Sequence, residues 1–285
     1  MANQIFSPLR FSAFLKKHFY DMRSQLAVCA VIILLLPILF CVGIPALRHC
    51  YSYPPYPHLM VADPMWGNEI LFFMFFSIVI AAVLGAGFYA DLKKKTSRIA
   101  TLTNPASQLE KFATYFCIYI LMFAVLAIAA FFLADAIRVW VYSGTQTPGL
   151  KIGYLTPKML FTMGAAIPKP DNIDPSLADL DMIKSVMVFS MVILLQAVYA
   201  LGCAVWPKNS FLKTTAFLFA MNMVSGYLLF LGFQTFLTNG AVVPRFDMEA
   251  NEFTCCIAVI SIVLAIVLWV IGYMRFRESE VVERW

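Results

Sequence analysis

Six stretches of this chain, at 25–46, 70–90, 112–134, 185–206, 216–237 and 253–274, contain no charged residue. Each reaches the roughly 20 apolar residues that a helix needs to cross the hydrocarbon core of a bilayer. Charged or turn-forming residues separate them all. The stretches are continuously apolar and lack the alternation of a barrel strand, so they are expected as helices, which satisfy their own backbone hydrogen bonds in lipid. Composition agrees: 61% of the 285 residues are hydrophobic and 13% charged, where a soluble domain is nearer half and a quarter. One soluble domain of this size has too little interior to hide that excess. The expected fold is an all-α integral membrane protein with six transmembrane helices forming a single domain over 1–285. An N-terminal interfacial amphipathic helix (1–24) precedes them, and a larger extracytoplasmic connection (135–184) joins helices 3 and 4.

The distribution of cations sets the expected orientation. Of the 21 Lys and Arg, 14 lie in the N-terminal tail, the second and fourth connections and the C-terminal tail. The other seven lie in the odd-numbered connections, most of them in the long third one, where the charge rule is weak. Both ends are therefore expected in the cytoplasm. The first apolar run is too long for a signal peptide and ends without a small-x-small cleavage site. In the tail before it, Phe11, Phe14, Leu15, His18 and Met22 recur at helical spacing among Arg10, Lys16, Lys17 and Arg23. Such a segment suits the inner interface, with its cations near anionic headgroups. The 51–58 stretch is rich in Tyr and Pro and reads as an extended interfacial loop. The 135–184 connection is punctuated by Pro and Gly, ends acidic, and is long enough for a small external subdomain.

Chemistry on the chain itself is hard to find. None of the 13 glycines is followed by Lys, so there is no P-loop. The three histidines, His18, His49 and His58, stand outside the apolar runs and form no metal-ligand spacing. The seven cysteines show no zinc or disulfide pattern and read as small hydrophobes. Ser225-Gly226 lacks an intramembrane base, so helix packing explains it better than proteolysis. No ionisable residue lies inside a run; Glu69, Asp91 and Asp135 stand at the edges, which leaves ion- or proton-coupled transport little to work with. The polar residues inside the runs, Gln196, Asn222 and Gln234, suit interhelical hydrogen bonding or the lining of a path. Pro37 and the Gly85-Ala86-Gly87 stretch suit kinks or close packing.

The second connection, 91–111, is longer than a hairpin needs. Asp91, Lys93, Lys94, Lys95 and Arg98 make its first half basic, and that half reads as a helix across the cytoplasmic face. It is either a topogenic lysine cluster or a docking element for a soluble motor. Its second half offers two helix starts: Asn104 as cap with Pro105 at the first position, or Ser107 with Glu110 as a capping box. Residues 101–112, TLTNPASQLEKF, resemble the "LPAS…EKF" stretch after the second span of bacterial ABC export permeases of the type-two membrane family. Residues 200–214, ALGCAVWPKNSFLKT, are similar to the junction between spans four and five of some of those proteins. The chain departs from that pattern at Asn104, Cys203 and Trp206-Pro207.

That resemblance implies a permease of the bacterial inner membrane that pairs with a second copy or paralogue, each half seating a separate cytoplasmic ABC ATPase. The coupling helix would lie within 91–101, and ATP and Mg would belong to the ATPase subunit, leaving no cofactor or catalysis on this chain. Lipid is the remaining partner, and no nucleic acid is implied. The competing expectation is a scaffold or sensor that binds a partner through 135–184. A membrane-embedded enzyme would need a catalytic constellation that the sequence does not supply.

Overall fold

The computed structural model describes residues 6–48, 63, 65–89, 96, 99, 101, 103–144, 152–161, 176–206, 208–238 and 250–278. The described residues are helical wherever they are regular: α1 (Pro8–Asp21), α2 (Arg23–Arg48), α3 (Trp66–Gly87), α4 (Gln108–Phe116), a π-helical turn (Cys117–Met122), α5 (Phe123–Tyr142), the short α6 (Pro157–Phe161), α7 (Ser176–Val205), α8 (Ser210–Thr238) and α9 (Ala250–Arg277). Five of them are long and apolar enough to cross a membrane: Arg23–Leu47, Trp66–Gly87, the continuous run Gln108–Tyr142, Lys184–Val205 and Glu252–Arg277. This is a helical membrane protein. The fifth predicted stretch, 216–237, lies within the 29-residue helix α8.

Two differences from the expected boundaries have physical causes. The third apolar run was expected to stop at 134, yet α5 continues to Tyr142, so the first eight residues assigned to the external connection extend the helix. Asp135 and Arg138 pair at i, i+3 on that helix, and a charge satisfied by its own helix gives no reason to end it. The connection is also shortened from its other side, because α7 begins at Ser176.

The chain divides into two compact units, 1–80 with 105–192 and 81–104 with 193–285. In the first, α2 packs along α5. Pro37 and Pro45 lie inside α2, and each removes one N–H from its ladder. Near the second of them, the Tyr142 hydroxyl donates to the Val42 carbonyl at 2.6 Å and ties α2 to the end of α5. Trp66, Ile70 and Phe73 of α3, Phe131 and Ala134 of α5, Cys41 of α2, and Leu155, Met159 and Leu160 beyond α5 form one buried cluster. Lipid is as apolar as this cluster, so close packing and polar contacts, rather than escape from water, must hold it together.

The second unit is built on close approaches. A Cβ on Gly85 would stand 2.7 Å from the Gln196 carbonyl, and one on Gly202 would collide with the Thr214 side chain. Ser210 donates to the Ala86 carbonyl at 3.3 Å, and the hydroxyls of Tyr199 and Thr215 lie 2.8 Å apart. Asn209 turns the chain between α7 and α8 with φ of 55°, a conformation that Asn tolerates better than most residues.

Candidate functional site

The first unit holds two polar assemblies, at opposite ends of the Gln108–Tyr142 run. At its start, Ser107 and Glu110 form a capping box: Ser107 Oγ accepts from the Glu110 amide at 3.2 Å, and Glu110 Oε2 accepts from the Ser107 amide at 2.8 Å. Of the two helix starts open to the sequence, α4 uses this one; 103–106 are bends, and Asn104 caps nothing. The other oxygen of the same carboxylate reaches a second helix. Glu110 Oε1 accepts from the Ser7 amide at 2.6 Å and from Arg10 at 3.1 Å. One buried carboxylate thus serves the N-termini of α1 and α4, where unpaired amides and the helix dipole favour negative charge.

Helix α1 turns its apolar stripe onto the protein. Phe14 and His18 are buried, Phe11, Leu15 and Met22 are half-buried, and the His18 ring meets Tyr115 edge-on with centroids 4.9 Å apart. The stripe expected to enter lipid therefore grips the start of the 108–142 helix, while Lys16, Lys17, Phe19 and Tyr20 stay exposed.

The second assembly was not anticipated from the sequence. Arg138 is fully buried, and its guanidinium sits among three buried carboxylates. Nη1 donates to Asp63 Oδ2 at 2.7 Å, Nη2 donates to Asp135 Oδ1 at 2.6 Å, and Nε lies 2.7 Å from Glu69 Oε1. Nη2 also donates to the Gly153 carbonyl at 2.9 Å. The carboxylates reach on to the backbone beyond α5: Asp63 accepts from the Gly153 amide at 3.2 Å and Asp135 from the Leu155 amide at 2.8 Å. Trp66 Nε1 donates to the same Gly153 carbonyl at 3.1 Å, and its ring leaves no room for a Cβ at residue 153. Asp63 also accepts from the Met65 amide at 2.9 Å, just ahead of α3.

The apolar runs themselves remain free of charge, yet charges at their edges come together. Glu69 lies in the first turn of α3, and Asp135 and Arg138 lie toward the end of α5, so charges at the edges of two different apolar runs meet in one buried site. The legible signal was Asp135-x-x-Arg138 directly after an apolar run: a charge pair at helical spacing that lets the helix continue. Glu110 and Arg138 are 28 positions apart, or about 42 Å along a helix rising ~1.5 Å per residue. That length matches the roughly 40–45 Å of a bilayer with its headgroups.

The predicted docking residues Asp91, Lys93, Lys94, Lys95 and Arg98 lie outside the described residues. Next to them, Thr96, Ile99 and Thr101 are helical, and the Thr103 amide and hydroxyl both donate to the Ile99 carbonyl. The three membrane polar residues are not brought together. Gln196 is half-buried on α7, whereas Asn222 and Gln234 are exposed on α8, so among the described residues the interhelical role expected for Asn222 is not filled; its carbonyl accepts from Ser225 on the same helix. Among the described residues no group of His, Cys, Asp and Glu is placed to hold a metal ion. No family profile, curated protein or solved structure matches the chain.

Proposed function

We propose that this chain is the membrane permease subunit of an ATP-driven export system of the bacterial inner membrane. It crosses the bilayer six times, with α8 as the fifth crossing and both termini in the cytoplasm. It forms the substrate path as a dimer with a second copy or paralogue. Hydrolysis of ATP with Mg is the work of a separate cytoplasmic ATPase subunit, which docks on the basic 91–101 segment.

The observation that carries this reading is the Glu110 joint. A segment that receives force from a soluble motor must be mechanically continuous with the membrane helices. The chain leaving 91–101 runs directly into a helix start where one buried carboxylate binds α4 to α1. A push on this connection is thereby delivered to a helix of full bilayer length and to the N-terminal helix together. The motor would supply the differential binding energy that any two-state switch requires.

The test is purification of the chain with its native membrane neighbours. A P-loop ATPase is expected to co-purify, and to be lost when Lys93, Lys94 and Lys95 are all changed to Glu. A chain that purifies alone with or without those changes overturns the reading. The competing reading, a scaffold or sensor working through 135–184, draws on the Arg138 assembly, which fastens residues 153–155 to the helix ends. Under it, deletion within 162–175 removes partner binding while the lysine changes do not.

A further inference from the structure

Among the described residues, the Arg138 assembly is short of positive charge. Asp63, Glu69 and Asp135 surround a single guanidinium, and all four side chains are withdrawn from solvent. A buried ionic group is tolerated only when its charge is balanced and its polar atoms are bonded. Asp63 and Asp135 meet the second condition through the guanidinium and the backbone amides of Met65, Gly153 and Leu155. Glu69 meets it only weakly. Its Oε1 lies 2.7 Å from Arg138 Nε, but that N–H is directed at Asp135 Oδ1, and the weakly donating Cys41 thiol is the other donor that the described residues bring to this carboxylate.

We propose that the assembly is a proton-binding site. Glu69 is the acceptor, and the bound proton holds the chain at 153–155 against the ends of α3 and α5. This inference stands apart from the export reading and does not depend on it.

Among the described residues, the neighbours of Glu69 offer few other counter-charges. Helix α2 contributes the buried thiol of Cys41, which is neutral and a weak donor. The segment before α3 contributes Asp63, and α5 contributes Asp135, Arg138 and the Tyr142 hydroxyl, which is engaged with Val42. The 152–156 stretch reaches the site through the Gly153 and Leu155 backbone. A metal ion is disfavoured as the occupant, because these carboxylates do not converge on a common point. A proton needs no such convergence. Hydronium gives its proton to a Glu69 oxygen and leaves as water; one O–H bond forms, and nothing is oxidised or reduced. The formal charge of the site falls from two negative to one. The new O–H is a donor in a site that is rich in acceptors.

The docked arrangement then holds one proton more than the open one. Docking is therefore favoured as pH falls and lost as pH rises, by about tenfold in the equilibrium per pH unit for one proton. The Leu155 amide reports this directly, since it is bonded to Asp135 only when 153–155 is docked.

The experiment uses the full chain in lipid nanodiscs, with hydrogen exchange at Leu155 followed from mildly acidic to mildly alkaline pH and corrected for intrinsic exchange. Glu69→Gln has the shape of the protonated acid and cannot titrate. In the wild type, protection is expected to fall by about tenfold per pH unit on the alkaline side, and in Glu69→Gln to stay level. Infrared spectra should show a protonated-carboxyl band that Glu69→Gln removes. The same pH slope in both proteins, or a band unchanged by the substitution, overturns the proposal. Should Glu69→Gln fail to fold, Asp63→Asn replaces it. That variant also removes one negative charge from the docked site, so docking needs the proton less and protection should persist to a higher pH than in the wild type; an unmoved profile overturns the proposal equally.

Discussion

Arg138 shows how far a single side chain can set the terms for its surroundings. Removing one partner of a buried ion pair leaves the others charged and unpaired, at a cost of about 3–5 kcal/mol. Arg138→Ala is therefore expected to lower thermal stability in detergent by that order, whereas replacing all four charged residues with apolar side chains of similar volume should recover most of the loss. A quadruple variant as unstable as the single one would show that the ionic contacts themselves hold this end together. Gly202 works by absence. A Cβ there meets Thr214, which has nowhere to retreat because it is fully enclosed. Gly202→Ala should cost about 1–3 kcal/mol by overpacking, and Thr214→Ala, which deletes the colliding hydroxyl together with the methyl, should return part of it. A double-mutant cycle measures that coupling; a coupling of zero would mean that α7 and α8 separate instead of clashing.

At the scale of elements, the Gln108–Tyr142 run joins the two polar assemblies. Its cap was readable because Ser107-x-x-Glu110 is a local pattern with a local purpose. The grip of the same carboxylate on α1 was not readable, since the Ser7 amide lies 103 positions away. Glu110→Ala should cost more than the roughly 1 kcal/mol of an ordinary cap, because it also frees the start of α1. Limited proteolysis should then cut within 8–21 at least several-fold faster than in the wild type. Ser107→Ala, which removes the cap and leaves the grip, should not have that effect. The π-helical turn at Cys117–Met122 adds a residue to one turn, which rotates the two halves of the run by about 100° relative to an unbroken helix. The faces presented by Tyr115 and by Phe131 are thereby set separately, which a single period of 3.6 does not anticipate.

For the whole molecule, the pattern of apolar runs and flanking cations makes a topological prediction. Single cysteines placed at 147 and 243 in a cysteine-free background should react with a membrane-impermeant maleimide from outside the cell, and one placed at 96 should react only after the membrane is opened. Labelling of 243 from the inside would remove α8 from the set of crossings and put the C-terminal tail outside. Ser210–Thr238 is where this matters most: from Phe219 to Leu228 every residue is exposed within the chain, so lipid or another subunit must cover it. Asn222 on that surface is polar, and a partner that supplies its hydrogen bonds would lower the cost of holding it in the membrane.

The sequence by itself determined the solvent and the elements. Apolar length, the absence of charge within each run and the helix-start chemistry are all local, and a helix in lipid must satisfy its backbone within itself, so local pattern is enough to place it. Only the tertiary structure decided where the charges go. Asp63 and Glu69 before one apolar run, and Asp135 and Arg138 after another, look like unrelated edge charges until α3 and α5 pack, because a buried ion site is defined by distances between elements, and those distances are absent from any single stretch of chain. The same holds for the inward-turned stripe of α1. Its periodicity announced an amphipathic helix, but lipid and a protein groove are equally apolar, and which of them received it depended on the Glu110 joint on a distant helix.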